Sequence, residues 1–405
     1  MPIVEIVAPT KFLITLTFGI NMINFRKRGR SMKKHIYADN AATTGLDKAA
    51  LEKMIPWLTD EFGNASQPYA FSRKPKKALT DARATIAECI GALPQEIYFT
   101  CGGTESDNWA IKGSAFADPD YRATITSAFE HHAILNACRL IETLKYPVVY
   151  MWPTQDGYIT PEILNDYISG QTRLVSVMYA NNELGTIQPI KALAAVAHAH
   201  GALFHTDAVQ AVGHIPMNVH DLNVDMLSAS AHKFNGPKGI GFLYIKKGAK
   251  LPPYMNGGAQ ESGRRAGTEN IASIVGMATA LQNNCKHLNE NIAHIKGLEQ
   301  TLLQALTDSG IAFARNGGDE KLPGLLSLSF DGKDGEAILH RMDLMGISIS
   351  TGSACDSINT EISHVLKAIR LDENLAKGTI RNSLGKNNTM EDVDTIVRSL
   401  AKIVS

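Results

Sequence analysis

The stretch LVSVMYANNELGTIQPIKALAAVAHAHGALFHTDA, residues 174–208, decides the fold class. Its two ends, LVSVMYA (174–180) and ALFHTDA (202–208), are short apolar runs rich in β-formers. Between them IKALAAVAHAHG (190–201) repeats apolar residues at helical spacing and closes on Gly201, where a helix C-cap is expected. Similar strand-like runs stand on either side: EIYFT (96–100), ATITSA (123–128), VVYMW (148–152), VDMLSAS (224–230) and GFLYIK (241–246). The alternation predicts an α/β domain with a mostly parallel, seven-stranded sheet. Near residue 290 the texture changes to a long helical stretch, NIAHIKGLEQTLLQALTDSG (291–310). A strand-like LLSLSF (325–330), a helical ILHRMDLMG (338–346), a Gly/Ser-rich loop and a C-terminal helix follow. This reads as a smaller α+β domain. The expected division is a large domain over 46–288 and a small one from 32–45 and 289–405.

Four hundred and five residues with 44% hydrophobic content suffice for two such cores at roughly 150 residues per domain. Lys+Arg 40 against Asp+Glu 40 gives zero net charge, which argues against a partner held by phosphate charge, whether nucleic acid or anionic membrane. The five cysteines form no C-x-x-C pair and no disulfide framework, which fits a reducing cytoplasm. FLITLTFGINMINF (12–25) falls short of the ~18 apolar residues of a membrane span. RKRGR (26–30) follows that run, the wrong order for a secretion signal. Residues 1–31 are read as a disordered or non-native extension before a start at Met32, with a short membrane-touching anchor as the lesser reading.

In open α/β sheets ligands bind beyond the carboxyl ends of the strands. After 96–100 the sequence CGGTESDNWAIKG places two glycines and Thr104 at a helix start, a geometry that can cradle a phosphate. The pattern matches neither G-x-G-x-x-G nor the P-loop, and by itself reads equally as a plain turn. The other strand ends carry Glu130, His131 and His132; Asn181, Asn182 and Glu183; His205, Asp207 and Gln210; and His232 and Lys233. Each alone reads as a structural polar residue. Together they supply what pyridoxal phosphate (PLP) needs: a lysine to bond it, a carboxylate for its ring nitrogen and a flat group over the ring.

Nine segments make the resemblance specific: YADNAATT (37–44), GGTESDN (102–108), EHHAIL (130–135), YANNELGTIQPI (179–190), HTDAVQAVG (205–213), SAHKFNGPKGIGFLY (230–244), GRRAGTEN (263–270), STGSAC (350–355) and IRNSLG (380–385). In order from about Ile36 to the last helix, the chain resembles the cysteine desulfurases of the nitrogen-fixation and iron–sulfur-cluster type. These are fold-type I PLP enzymes of the class V aminotransferase group. The resemblance implies that Lys233 bonds the cofactor, Asp207 pairs with its ring nitrogen and His131 stacks on its ring. It implies that Gln210 and Asn182 touch the ring-side oxygen and the substrate, and that Gly103, Thr104, Ser230 and His232 hold the phosphate. Thr268 would reach a phosphate of the other subunit in a homodimer, and Arg381 would fork onto the substrate carboxylate. Cys355 would be the nucleophile that takes sulfur from L-cysteine as a persulfide, releases alanine and hands the sulfur to an acceptor such as an iron–sulfur scaffold or sulfur carrier. Cys89 and Cys138 stand in apolar helical periods and read as core.

Several positions depart from the family pattern. Thr351 and Asp356 flank the cysteine segment, and Asp356 puts a negative charge beside the thiol. NGGAQE (256–261) replaces a commonly histidine-led HGGGQE, Asn382 replaces a common phenylalanine, and the tail after Arg381 is short. Three other readings compete: a selenocysteine lyase or related PLP β-lyase that need not use Cys355; a metal-dependent hydrolase on His131, His132, His205, Asp207 and His232; and a non-catalytic sulfur-carrier partner. No H-E-x-x-H motif supports a metal site, and no metal ligand is assigned.

Overall fold

The computed structural model describes residues 35–120, 122–352 and 362–404. Its twelve strands are β1 (Ile36–Tyr37), β2 (Ile97–Thr100), β3 (Ala123–Ser127), β4 (Val148–Met151), β5 (Thr172–Ser176), β6 (Leu203–Asp207), β7 (Met226–Ser230), β8 (Gly241–Ile245), β9 (Ala314–Asn316), β10 (Leu325–Ser329), β11 (Ile347–Ser348) and β12 (Thr379–Ser383). Seven of them form one sheet in the order β2-β8-β7-β6-β5-β3-β4. All neighbours are parallel except at β8, which runs antiparallel to β2 and β7. The sheet is therefore mostly parallel, and its strands are the seven apolar runs of the sequence. The 174–180 run is shifted: β5 ends at Ser176. The N–H groups of Val177 and Tyr179 still donate to the carbonyls of His205 and Asp207, so the chain stays extended beside β6.

Helices cover both faces, as a parallel sheet requires. Alternate residues divide between two apolar layers. Phe99, Ile125, Phe204, Leu227 and Phe242 face one, and Leu174, Met226, Leu243 and Ile245 face the other, where Trp109 and Ile134 pack. The helix Ile190–Ala199 ends as its sequence predicts. Gly201 takes φ 75°, its N–H meets the His198 carbonyl at 3.0 Å, and the Ala202 N–H meets that of Ala197 at 3.0 Å. This is a Schellman closure that a residue with a Cβ would strain.

The later part of the chain builds a second sheet, β12-β10-β9, antiparallel throughout, and the short parallel pair β1 and β11. Helices Leu288–Asp308, Gly335–Leu344 and Met390–Val404 accompany them, with a separate core of Leu302, Leu326, Leu328, Ile380, Ile396 and Leu400 among others. The long helix starts at Leu288, three residues before its sequence-based estimate, and is preceded by a further helix, Ile271–Lys286, which the sequence reading did not single out. The described residues lie within one compact unit, His35–Ser405. No helix among them is long and apolar enough to cross a membrane.

Candidate active site

Four strand ends of the large sheet and one strand of the small sheet meet at a cleft of about 330 Å³. β2 turns through Gly102, at φ 152°, into helix Gly103–Phe116. A Cβ on Gly103 would lie 2.5 Å from Cγ2 of Val209, so glycine is what lets this helix begin against the loop after β6. No side chain caps the helix start. Its first amides and the positive end of its dipole are left for an anion, with Thr104, Ser230 and His232 on the same cleft.

The turn after β3 delivers His131 as N-cap of helix His132–Thr143, and its Nδ1 accepts the Ala133 N–H at 3.1 Å. The neutral ring therefore carries its proton on Nε2. Burial, and then the charges of Lys233, His132 and His364, depress its pKa to about 4, so the ring is uncharged at neutral pH. Asp207, the last residue of β6, accepts the Val209 N–H at 2.9 Å. Burial raises this carboxyl to about 6, against the opposing pull of that N–H and of Lys233.

Lys233 ends the short 3-10 turn Ala231–Lys233 after β7. Its Nζ donates to the carbonyls of Ala41 at 2.5 Å and Ala42 at 2.8 Å, and Gln210 Nε2 meets the Ala41 carbonyl at 3.0 Å. The segment that carries those carbonyls is tied down by Thr44, whose N–H and hydroxyl both donate to the His232 carbonyl, at 3.0 and 2.8 Å. From the small sheet, β12 sends in Arg381. Its Nη2 meets Asp39 at 2.7 Å, and its Nη1 meets the carbonyls of Asn182 at 2.9 Å and Gly352 at 3.3 Å. Its Nε is buried without a hydrogen-bond partner among the described residues.

Of the residues singled out in the sequence, Gly103, Thr104, His131, Asn182, Asp207, Gln210, Ser230, His232, Lys233 and Arg381 line this one cleft. Thr268 is exposed and does not line it. Cys355, with Asp356, lies outside the described residues. His205 sits away from the cleft, hydrogen-bonded to Ser176 and Ser228 at 2.9 and 3.0 Å. Of the five residues of the metal-hydrolase reading, His131, His132, Asp207 and His232 line the cleft and His205 does not. Among the described residues, Asp107, His131 and Asp207 are the group whose ligand-type atoms lie close together, all within 4.8 Å.

Two cleft residues, Asp107 and His364, and Asp39 beside the cleft carry no signal that the sequence alone singles out. Asp107 follows the cradle by one helical turn, and the spacing of three to four residues from Gly103 and Thr104 was the available signal. Asp39 stands inside the quoted YADNAATT but acquires meaning only through Arg381. His364, whose Nε2 meets the Glu130 carbonyl at 2.9 Å and whose ring centroid lies 4.6 Å from that of His132, carries no local motif. Ser363 beside it donates to Glu183 at 2.6 Å.

The comparisons with known proteins agree with this geometry. The aminotransferase class-V family model matches residues 36–396. The chain belongs to that family. A cysteine desulfurase IscS of Dictyoglomus turgidum is 44% identical over 375 residues, covering 92% of this chain and 95% of the relative. A putative cysteine desulfurase IscS 1 of Bacillus subtilis is 43% identical over 374 residues, covering 92% of this chain and 99% of the relative. Among solved structures, one named NifS-like protein superposes with a TM-score of 0.86 at 35% identity, covering 91% of this chain and 99% of that one. Another, named SspA in complex with cysteine, gives 0.78 at 37% identity, covering 87% of this chain and all of that one. For this class-V aminotransferase relative, the seven-stranded sheet is thus the family's fold, and the cleft lies at its carboxyl edge.

Proposed function

We propose that the protein is a PLP-dependent L-cysteine desulfurase. One observation carries the reading. The amine of Lys233, the carboxyl of Asp207, the neutral ring of His131 and an uncapped helix start at Gly103 open on a single cleft. That set fits pyridoxal phosphate, whose phosphate needs amides, whose ring nitrogen needs a carboxylate and whose aldehyde needs a lysine. When bound, the cofactor supplies the sink for negative charge at the substrate α-carbon. Lys233 is then its attachment point and, once released, a base for the α-proton. His131 would cover the ring, with Asn182 and Gln210 available to its side. Arg381 binds the substrate carboxylate, with its unpartnered Nε as one arm of the fork. The thiolate of Cys355 attacks the sulfur of the bound cysteine. As the new S–S bond forms, the substrate C–S bond breaks, its electron pair stays with the three-carbon skeleton, and alanine leaves.

Four further parts belong to the same proposal. The chain divides into a large domain (46–288) and a small domain (32–45 with 289–405), a reading supported by the two separate cores. Thr268 reaches the phosphate of the other subunit in a homodimer, which is consistent with its exposure in the single chain. The persulfide passes to a protein acceptor that builds iron–sulfur clusters or thio-cofactors. The protein acts in the cytoplasm.

Anaerobic incubation of the PLP-loaded enzyme with L-cysteine tests the reading. Alanine should form, and the peptide with Cys355 should gain the mass of one sulfur atom. Cys355→Ala should abolish sulfide release from cysteine, and unchanged release would sink the persulfide route. Selenocysteine turned over by that variant while cysteine is not would mark the lyase activity as separate.

A further inference from the structure

One carboxyl on the cleft has no part in the reading above. Asp107 lies on helix Gly103–Phe116, is 1% exposed and borders the cleft. An oxygen of Asp107, an oxygen of Asp207 and a ring nitrogen of His131 fall within 4.8 Å of one another. Oδ1 of Asp107 is buried with no hydrogen-bond partner among the described residues, and the nearest imidazole nitrogen, His205 Nε2, is 3.8 Å away.

The titratable groups around Asp107 are Asp207, Glu130, His131 and His205, with Lys233 on the same cleft. No imidazole among them is a cation at neutral pH, since burial depresses His205 to about 3 and His131 to about 4. Glu130, raised to about 8 by burial, is itself protonated. Two carboxylates this close in a dry site cannot both ionise, so one of Asp107 and Asp207 keeps a proton. The surroundings decide which. Asp207 has the Val209 N–H and the charge of Lys233 to stabilise its anion. Asp107 has only the weaker help of the Ser228 hydroxyl, and burial and then the charge of Asp207 push it well above the ordinary aspartate value.

We propose that Asp107 is a positioning residue: it stays a neutral carboxylic acid and donates its proton in a hydrogen bond to Asp207, fixing Asp207 as the anion that would meet the ring nitrogen of the cofactor. The importance of that anion rests on the cofactor reading above; the protonation of Asp107 does not. The bond orients Asp207 and spreads its charge, so that the ring nitrogen meets a carboxylate already in place. No charge on Asp107 is required, only a donor of its shape, and this separates the proposal from a merely structural or a merely electrostatic role.

Infrared difference spectroscopy on the cofactor-free protein at neutral pH tests the proton directly. Wild type should show the carbonyl-stretching band of a buried protonated carboxyl, and Asp107→Asn should lose that component. PLP titration of the same proteins tests the donor. Asp107→Asn, which keeps an N–H in place of the O–H, should bind PLP within about threefold of wild type, whereas Asp107→Ala should bind at least about tenfold more weakly, the scale of one lost hydrogen bond to a buried charge. An infrared band unchanged in Asp107→Asn, equal losses of affinity in both variants, or no loss in Asp107→Ala would each overturn the proposal. Failure of the desulfurase reading would appear elsewhere, as wild type that makes no alanine.

Discussion

Arg381 and Asn382 are neighbours on β12, both almost fully buried, at 3% and 0% exposure, yet they live in opposite worlds. Arg381 points to the cleft, where Asp39 and the carbonyls of Asn182 and Gly352 receive its guanidinium. Asn382 points the other way. It pairs in register with Leu326 of β10, shares a face with Ile380, and looks into the apolar core of the small sheet. There neither its amide nitrogen nor its carbonyl oxygen has a hydrogen-bond partner among the described residues. The contrast extends to the whole molecule. On the cleft side, buried polar groups are crowded, partly paired and partly waiting for a ligand; on the small-core side, an unpaired amide waits for nothing. Burial of polarity costs free energy in both places, but only in the cleft does bound substrate or cofactor return it.

The cleft side breaks most completely at its amine. Lys233→Ala should lower alanine formation from cysteine by at least about a thousandfold, as loss of a group that acts with several others does. PLP added to the variant should fail to give the near-visible absorbance of a lysine-bound cofactor. Arg381→Lys keeps the charge and removes the fork. The KM for cysteine should rise roughly 10- to 100-fold, with a smaller change in kcat, because a point charge replaces a bidentate donor. Steady-state alanine formation over a range of cysteine concentrations separates the two parameters, and an unchanged KM would remove Arg381 from substrate binding.

These residues differ in how far the sequence exposed them. The seven strands of the large sheet were legible because each is a short apolar run closed by polar residues, and a buried parallel sheet demands that pattern. Lys233, Asp207 and His131 were legible because each stands at or just past the end of such a run, where the fold must open a site. Asp39 was not, since its partner Arg381 lies on a strand of the other sheet and no local spacing links them. Asp107 was hidden for a different reason: the glycines at the helix start carry the local signal, and the three- to four-residue spacing that puts Asp107 on their face is common to every helix. For Asn382 the sequence shows a polar residue in a strand, but only strand register tells which face it takes.

A smaller effect sharpens the cost of the crowded side. Burial raises Glu130 from an ordinary 4.5 to about 8, with the Ser127 hydroxyl at 2.5 Å and the Met178 N–H at 2.9 Å only partly offsetting it. The folded protein therefore binds this proton more tightly than the unfolded chain does. Its contribution to stability is full below the unfolded value and is lost as pH rises from there through about 8. The buried histidines, whose values are depressed, titrate with the opposite sign at lower pH. Glu130→Gln cancels the glutamate alone. The stability difference between wild type and this variant, from urea unfolding of the cofactor-free protein, should shift against wild type by about 2 kcal/mol between about pH 6.5 and 8.5. A constant difference would mean that Glu130 is ionised throughout.

The smallest effect tests the other side of the comparison, and its sign is the reverse. Leucine shares the branched outline of asparagine, is somewhat larger, and has no polar atoms to leave unpaired, so Asn382→Leu replaces an unsatisfied amide in an apolar core by an apolar group of the same shape. The gain should be about 1–2 kcal/mol, seen as a rise of roughly 1–3 °C in the Tm of the cofactor-free protein. Asn382→Ala removes the same unpaired atoms but leaves a void, and its Tm should fall below that of the leucine variant. Cysteine turnover should change little in either, because Asn382 faces away from the cleft that Arg381 enters. A Tm that drops in Asn382→Leu would show that the amide is satisfied after all, and the two faces of β12 would then differ in which partners they meet rather than in whether they meet any.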